Sequence, residues 1–267
     1  MANRNKFPQD KLVKALDEIA IQLPKSIEAY LIGGLAMIFH GAKLATKDVD
    51  IVFMDPESAQ TFIETAQKIG FNRTENLQEE YIDLGTRCVL EGKDGVRFDI
   101  FIEKVCNALT FSSGMKSRAE KKYDKKMLKL YVSSIEDIFL FKAITSRPDD
   151  LADMATITGK EIQWNIIRDE VKTQPDNWKW ISRLYLRLLE LEEEYSIPSP
   201  LKTELKDEAE IGEAIGILIM KWENSSFTFD NAQKALDEDD NEFIKIVLQE
   251  MKRLNIIEEK NGHYFFR

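Results

Sequence analysis

The stretch YLIGGLAMIFHGAKLATKDVDIVF, residues 30–53, decides the fold of this chain. An apolar run ends in Gly33-Gly34, a short helix-like segment follows, and DVDIVF has the composition of a buried strand. Asp48 and Asp50 lie on the same side of that strand, because strand side chains alternate with a period of two. A buried carboxylate is costly unless it is paired or bound to a cation, so we expect a positive charge between them.

The sequence around this stretch predicts a small α/β unit. Residues 9–23 and 57–70 place apolar side chains at helical spacing. The segments TRCVLEG and VRFDIFIE, joined by the turn at residues 93–95, predict an antiparallel pair of strands. Asp99 lies in the second of these strands between apolar neighbours, so it repeats the pattern of a carboxylate placed in a core strand.

Apart from one further strand expected from about residue 127, the rest of the chain is predicted to be mainly helical. Three helical patterns lie between residue 134 and residue 196, and IPSPLK is the clearest linker. Beyond it we expect three helices and a hairpin turned at Lys260-Asn261-Gly262, which is the order of a winged helix. From residue 201 onward there are nine basic and fifteen acidic residues, so a protein-interaction or dimer-forming module is favoured over a DNA-binding one.

Composition limits the classes of function. The chain has 267 residues and a formal net charge of −10, which argues against a broad nucleic-acid-binding surface. No apolar run approaches the roughly 20 residues that cross a bilayer, and the N-terminal segment has no apolar core of the signal-peptide kind. Cys88 and Cys106 lie in apolar contexts without metal-ligand spacing, so we expect reduced, buried thiols in a cytoplasmic protein.

The three aspartates indicate a metal site. Carboxylate oxygens on neighbouring strand ends suit Mg²⁺, which prefers hard oxygen ligands. Asp48, Asp50 and Asp99 could together hold two ions about 3.5–4 Å apart, an arrangement that serves phosphoryl or nucleotidyl transfer. Gly33 and Gly34 would let the backbone approach a phosphate closely. The alternatives are a cap or turn cluster for the aspartates and a plain tight turn for the glycines.

Gly33-Gly34, a gap of thirteen residues, Asp48-Val49-Asp50 and a later Asp99 resemble the nucleotidyltransferase superfamily related to DNA polymerase β. The resemblance covers roughly residues 28–160 and is greatest to minimal prokaryotic members, especially the abortive-infection (AbiEii-type) toxin-like branch. It implies that the glycines hold the triphosphate and that the first two aspartates bind Mg²⁺. It implies that the third completes the metal site and helps to activate the incoming hydroxyl.

The resemblance extends to IEDIFLFKAITSRPDDLADMATI, residues 135–157. It implies that Lys142 faces the nucleotide phosphates and that Asp150 and Asp153 belong to the same motif. The alternatives are a solvated helix face for Lys142 and ordinary first-turn carboxylates for the two aspartates. Many relatives carry an arginine where this chain has Leu44, so Lys43 or Lys47 is expected to supply the positive charge.

The basic segment, residues 114–129, holds seven basic residues against two acidic ones. It is either a solvated, mobile loop or an electropositive lip beside the metal site that receives the triphosphate or an RNA 3′ end. In the second case, replacing Lys121, Lys122, Lys125 and Lys126 together should weaken that binding.

The expected fold is α+β, with a small mixed-sheet nucleotidyltransferase core over 1–110. A helical domain over 111–197 would complete the nucleotide site, and a winged-helix-like module would occupy 201–267.

The expected function is Mg²⁺-dependent transfer of a nucleoside monophosphate from ATP or another NTP to an acceptor hydroxyl on RNA or protein. A toxin-like role with a cognate antitoxin is one setting, and a homodimer through the last module is another. The alternatives are a nucleotide-binding regulatory protein without turnover and, less favoured, a DNA-binding regulator. No membrane partner is expected.

Overall fold

A mixed β-sheet carries the chemistry-bearing half of the chain. The computed structural model describes residues 5–74, 86–105, 107–145 and 147–267. The strands, numbered in chain order, are β1 (Phe7–Pro8), β2 (Ile27–Ile32), β3 (Ala45–Thr46), β4 (Val49–Phe53), β5 (Asn72–Arg73), β6 (Cys88–Glu91), β7 (Arg97–Ile102), β8 (Lys104–Val105), β9 (Leu109–Thr110), β10 (Glu120–Lys125), β11 (Leu128–Val132), β12 (Phe227–Thr228), β13 (Ile257–Lys260) and β14 (His263–Phe266).

Eleven helices are present in the described parts of the chain. They are α1 (Gln9–Gln22), α2 (Gly33–Phe39), α3 (Pro56–Lys68), α4 (Ser113–Arg118), α5 (Ile135–Ile144), α6 (Pro148–Thr158), α7 (Trp164–Thr173), α8 (Asn177–Tyr195), α9 (Leu201–Trp222), α10 (Phe229–Leu236) and α11 (Asn241–Arg253).

The main sheet has the strand order β10-β11-β2-β4-β7-β6-β5, with β8 and β9 attached beside β7. Strand β4 pairs with β2 in antiparallel and with β7 in parallel orientation. These central strands have apolar side chains on both faces, and Ile51, Val52, Phe98 and Ile100 are completely buried, as expected for strands covered on both sides. Helix α3 packs on β4, β6 and β7, and α2 packs on β2 and β4. The predicted mixed sheet is confirmed.

The sheet extends beyond residue 110, the limit expected for the α/β core. Strands β10 and β11 form an antiparallel hairpin, and β11 pairs in parallel with β2. The reason is the alternation in β11, where Leu128, Leu130 and Val132 point into the core. The basic segment is therefore mostly an edge hairpin of the sheet.

The helical part shares one hydrophobic core with the sheet. Helix α5 lies at its centre, and nine of its ten residues are buried. Helices α6, α7 and α8 all pack against it. The common core runs from Phe7 to Ala209, so the α/β and helical parts are held together by the same buried side chains.

A second, smaller hydrophobic core lies in the last part of the chain and runs from Ala214 to Tyr264. It is formed by the end of α9, by α10 and α11, and by a three-stranded sheet in the order β12-β14-β13. The predicted hairpin is present, and Asn261 and Gly262 both have positive φ, as a tight hairpin turn requires. The winged-helix interpretation of these elements stays a prediction.

Two further expectations concern the surroundings of the chain. None of the described helices is both long enough and apolar enough to cross a membrane. Cys88 is a buried free thiol, and burial raises its pKa. Cys106 lies outside the described residues.

Candidate functional site

The parallel pair β4–β7 brings the three predicted aspartates together. Asp50 lies directly opposite Asp99, and Asp48 precedes β4 by one residue. Since residues two apart share a strand face, all three carboxylates belong to one face of the sheet. The predicted cluster is therefore present, assembled from strand segments about fifty residues apart in sequence.

The electrostatics of this cluster are strained. Burial, followed by the nearby charge of Asp48, raises the pKa of Asp50. Asp99 is 5% exposed, and burial together with the charge of Asp50 raises its pKa to about 7. Both effects disfavour the ionised carboxylates. The site thus holds more negative charge than its own residues neutralise.

Arg97 is a site residue that the sequence analysis missed. Its Nε donates a hydrogen bond to Asp99 Oδ1 at 2.7 Å and lies 3.8 Å from Asp48 Oδ1. The guanidinium partly offsets burial, because it lowers the pKa of Asp99. The signal was available: Arg97 lies two residues before Asp99 on the same strand, so both side chains share a face. It supplies part of the counter-charge that the aspartates need, and the raised pKa values of Asp50 and Asp99 show that this part does not neutralise the cluster.

The double glycine lies against the aspartates. Gly33 begins α2 with a φ of +62°, a backbone region that disfavours side chains. A Cβ atom on Gly33 would stand 2.1 Å from Asp50 Oδ2, and one on Gly34 would stand 2.1 Å from Thr46 Oγ1. Both distances are far inside van der Waals contact. The glycines are therefore required for the close packing of the turn on β3 and β4.

Lys142 is buried, and its charge is held by carboxylates. Its Nζ lies 2.5 Å from Asp150 Oδ1 and 3.0 Å from Asp153 Oδ2. Burial by itself lowers the pKa of Lys142, but the two aspartates outweigh it and the pKa is raised. Lys43 donates to both carboxylate oxygens of Asp153 at 2.7 and 2.9 Å, and Arg147 Nε donates to Asp150 Oδ2 at 2.8 Å. The solvated-face alternative for Lys142 is wrong.

A single cleft of about 490 Å³ collects these groups. Its lining includes every predicted site residue: Gly33, Gly34, Lys47, Asp48, Asp50, Asp99, Lys142, Asp150 and Asp153. Cavities of this size accept a small ligand. A separate cavity of about 500 Å³ lies between α1, the residues that follow α3 and the turn between β6 and β7, where Lys14 and Phe71 are among its lining residues, and it contains none of these groups.

The position of the expected arginine is occupied by a solvent-facing side chain. Leu44 is 93% exposed and is not among the residues that line the cleft. Both lysines expected to replace the charge line the cleft, but Lys43 is paired with Asp153. Lys47 is therefore the better candidate.

The basic segment is not an electropositive lip. Four of its lysines make ion pairs with carboxylates: Lys121 with Asp124, Lys122 with Glu120, Lys125 with Asp17 and Lys129 with Glu28. None of residues 114–129 lines the cleft, and the hairpin turn lies far from the glycines, because Leu128 pairs with Ile27 at the start of β2 whereas Gly33 follows the end of that strand. Arg118 points inward and binds Asp137 and Glu170.

The donor set fits a hard divalent cation in its chemistry. All candidate ligands are carboxylate oxygens, two of them lie on directly opposite residues, and raised pKa values show that counter-charge is lacking. Among the residues that the structure describes, no three Asp, Glu, His or Cys side chains surround a common metal position. A cation would therefore have to draw the carboxylates closer together.

Comparison with known proteins agrees with this geometry at the level of the family. The family model described as "Nucleotidyltransferase of unknown function (DUF6036)" matches residues 10–186, which include the whole cleft apart from Lys6. A crystal structure from H. pylori, described as a "putative nucleotidyltransferase", is 12% identical, and the match covers 94% of this chain and 97% of that chain. Its TM-score is 0.35, so nothing is inferred from it. No curated protein matches the chain. The family match, which spans about two thirds of the sequence, shows that this chain belongs to the DUF6036 family of nucleotidyltransferases of unknown function.

Proposed function

We propose that the protein is a Mg²⁺-dependent nucleotidyltransferase, which moves a nucleoside monophosphate from an NTP to an acceptor hydroxyl. The observation that carries this proposal is the meeting of three carboxylates and a double glycine in one cleft. A structural ion pair or a plain turn has no need of three closely placed carboxylates on one face, two of them with raised pKa values, next to two consecutive glycines.

The residues take distinct roles in this reaction. Asp48 and Asp50, with Asp99, would hold Mg²⁺, which when bound neutralises the charge that develops on the phosphate oxygens. The acceptor oxygen forms a bond to the α-phosphorus, and the bond from that phosphorus to the bridging oxygen breaks, so that pyrophosphate leaves. Asp99 accepts the hydroxyl proton and so acts as the general base.

Three other groups position the substrate. Gly33 lets the phosphate chain approach the backbone beside Asp50. Lys142 lines the cleft, and its ion pairs with Asp150 and Asp153 restrict its side chain, so that the third N–H of the ammonium would donate a hydrogen bond to a phosphate from a fixed position. Arg97 orients Asp99 through the 2.7 Å hydrogen bond, so it acts as a positioning residue.

The acceptor is an RNA 3′ end or a protein hydroxyl, and both fit this chemistry. The resemblance to the abortive-infection branch supports a toxin-like role in the cytoplasm, with a cognate antitoxin as a regulator. The acidic, winged-helix-like last module supports binding of such a protein, or of a second copy of the chain, more than binding of DNA.

A regulatory protein that binds nucleotide without turnover is the second candidate. The solvent-facing Leu44 at the usual arginine position favours it, as does the absence of a ready-made three-ligand metal arrangement among the described residues. Retention of three buried or half-buried carboxylates on one face disfavours it, since each adds to the cost of folding.

The test is transfer of ³²P from each of the four α-labelled NTPs into extracted RNA and protein, with Mg²⁺ present. The Asp48→Ala/Asp50→Ala double variant should give no label. Asp149→Ala, which removes an exposed aspartate of the same cleft, is the matched control and should remain active. Nuclease or protease sensitivity of the product identifies the acceptor class. Nucleotide binding without label from any NTP would favour the regulatory protein and overturn the enzyme.

A further inference from the structure

The short ladder between β1 and β3 brings the N-terminal segment to the cleft. Phe7 lies opposite Thr46 and Pro8 lies opposite Ala45 in antiparallel register. Lys6 and Lys47 are the residues that adjoin this ladder at the same end, one on each segment. Both lysines line the cleft, although forty-one positions separate them in sequence. Lys6 lies outside the residues matched by the family model.

These two lysines differ from the other cations of the cleft. Lys43, Lys142 and Arg147 are all engaged by Asp150 or Asp153. Lys6 and Lys47 make no ion pair or hydrogen bond with any residue of the described ranges. Their charges are therefore available to a ligand.

The arrangement of the two lysines also favours an anion. An anion bound by both ammonium groups gains attraction from two positive charges. The structure thus places two cations without a carboxylate partner among the described residues at a cleft that otherwise contains an excess of carboxylates.

The location of the pair relative to the glycines indicates which anion. Gly34 packs against Thr46, the residue just before Lys47, so the lysine pair and the glycine turn border the same part of the cleft. The reacting phosphate has to lie at the aspartates on β4 and β7. A cation pair outside that cluster is left for the remainder of the phosphate chain.

We propose that Lys6 and Lys47 together bind the terminal phosphates of the nucleotide and make the cleft selective for triphosphates over monophosphates. The inference deepens the proposed function and rests on it. Lys6 supplies a charge from the N-terminal segment to a site at which Leu44 offers none. Lys47 was expected from the sequence, whereas Lys6 becomes visible only through the strand pairing.

The test is calorimetric titration of the full chain with each NTP and with the corresponding NMP, using Ca²⁺ to limit turnover. Lys6→Ala should weaken triphosphate binding by roughly tenfold, the loss of one charge-assisted hydrogen bond. Monophosphate binding should not change. Lys6→Arg should restore most of the affinity, and Lys6→Glu should weaken triphosphate binding further. Lys14→Ala, an exposed lysine of α1 at the separate cavity, is the matched control and should behave as wild type.

Each outcome separates this inference from the proposed function. Equal triphosphate affinity in wild type and Lys6→Ala would overturn the role of Lys6 and leave the proposed function standing. Parallel loss of triphosphate and monophosphate binding would also overturn it, because that result indicates a structural effect. A wild-type protein that binds none of the four NTPs would overturn both. Lys6 is exposed, so all Lys6 variants should have the melting temperature of the wild type, which thermal unfolding measures.

Discussion

Replacing Asp99 by Asn should stabilise the cation-free protein at alkaline pH. Asn keeps the shape of the side chain and can still accept the hydrogen bond from Arg97 Nε. The pKa of Asp99 rises from 3.8 to about 7 on folding, so the folded chain binds this proton more tightly than the unfolded chain. Stability therefore falls as pH rises from about 4 to about 7, because over that interval the folded state holds more protons.

The size of the effect follows from the same two pKa values. The two pKa values differ by roughly three units, and one pKa unit corresponds to about 1.4 kcal/mol. Ionised Asp99 therefore lowers the free energy of unfolding by roughly 4 kcal/mol in all. Part of this cost is already present at pH 5, because the unfolded carboxyl is ionised there. Between pH 5 and pH 8 the wild type should lose roughly 2–3 kcal/mol relative to Asp99→Asn.

Urea unfolding at pH 5, 6, 7 and 8 with a chelator present measures this difference. Asp149→Asn, at an exposed aspartate of the same cleft, should follow the wild type at every pH. Addition of Mg²⁺ at pH 8 should raise the stability of the wild type, since a ligand that binds the folded state stabilises it. If the free energy of unfolding has the same pH dependence in wild type and in Asp99→Asn, the reasoning is refuted, because the pKa of Asp99 would then be the same in the folded and the unfolded chain.

Gly33→Ala should abolish label transfer and lower the melting temperature more than Gly262→Ala, because both glycines have positive φ but only the first Cβ would clash with a carboxylate. Equal melting temperatures would contradict this. Lys142→Met should cost roughly 1–3 kcal/mol in urea unfolding, since it removes the cation that the buried Asp150 and Asp153 share, whereas Lys245→Met at an exposed ion pair should cost less than about 1 kcal/mol. Gly212→Ala should destabilise the chain by roughly 1–3 kcal/mol, because its Cβ would stand 2.4 Å from a backbone oxygen of the neighbouring helix. A urea midpoint equal to that of the wild type would contradict this, because α8 and α9 would then accommodate the added methyl group without loss of stability.

The aspartates could be predicted because strand alternation is a strong local signal. A carboxylate between apolar neighbours on a strand is unusual wherever it occurs, and Asp48, Asp50 and Asp99 are each visible from a few adjacent residues. Arg97 follows from the same rule, applied to the residue two positions before Asp99. What the local pattern lacked was the pairing of β4 with β7, which determines that the three carboxylates meet.

Lys142 was ambiguous for a different reason. A lysine on an amphipathic helix belongs to the solvated face, but α5 is apolar on all sides and is buried throughout the described core. Its charge is tolerated only because Asp150 and Asp153, on the next helix, neutralise it. That compensation is tertiary.

The approach of Lys6 to the cleft could not be predicted locally. A two-residue strand such as β1 has no period to detect, and its partner β3 is equally short. The hairpin of β10 and β11 was misjudged in a related way. Its lysines resemble a free basic surface in sequence, whereas the carboxylates that neutralise Lys125 and Lys129 come from α1 and β2.

Helix α9 has a consequence for how the chain can be divided. Its first half contributes Leu201, Leu205 and Ala209 to the large core, and its second half contributes Ile215 and Leu218 to the small one. Cleavage of the chain in the linker before α9 would remove Leu201, Leu205 and Ala209 from the large core. Cleavage after α9 would remove Ile215 and Leu218 from the small core on which the last strands pack. The boundary between the two cores lies inside one continuous helix, so no loop exists there at which a protease or an engineer could separate them cleanly. The two cores should accordingly unfold in one cooperative transition. A protein that binds the last module would also act, through α9, on the core that supports the cleft.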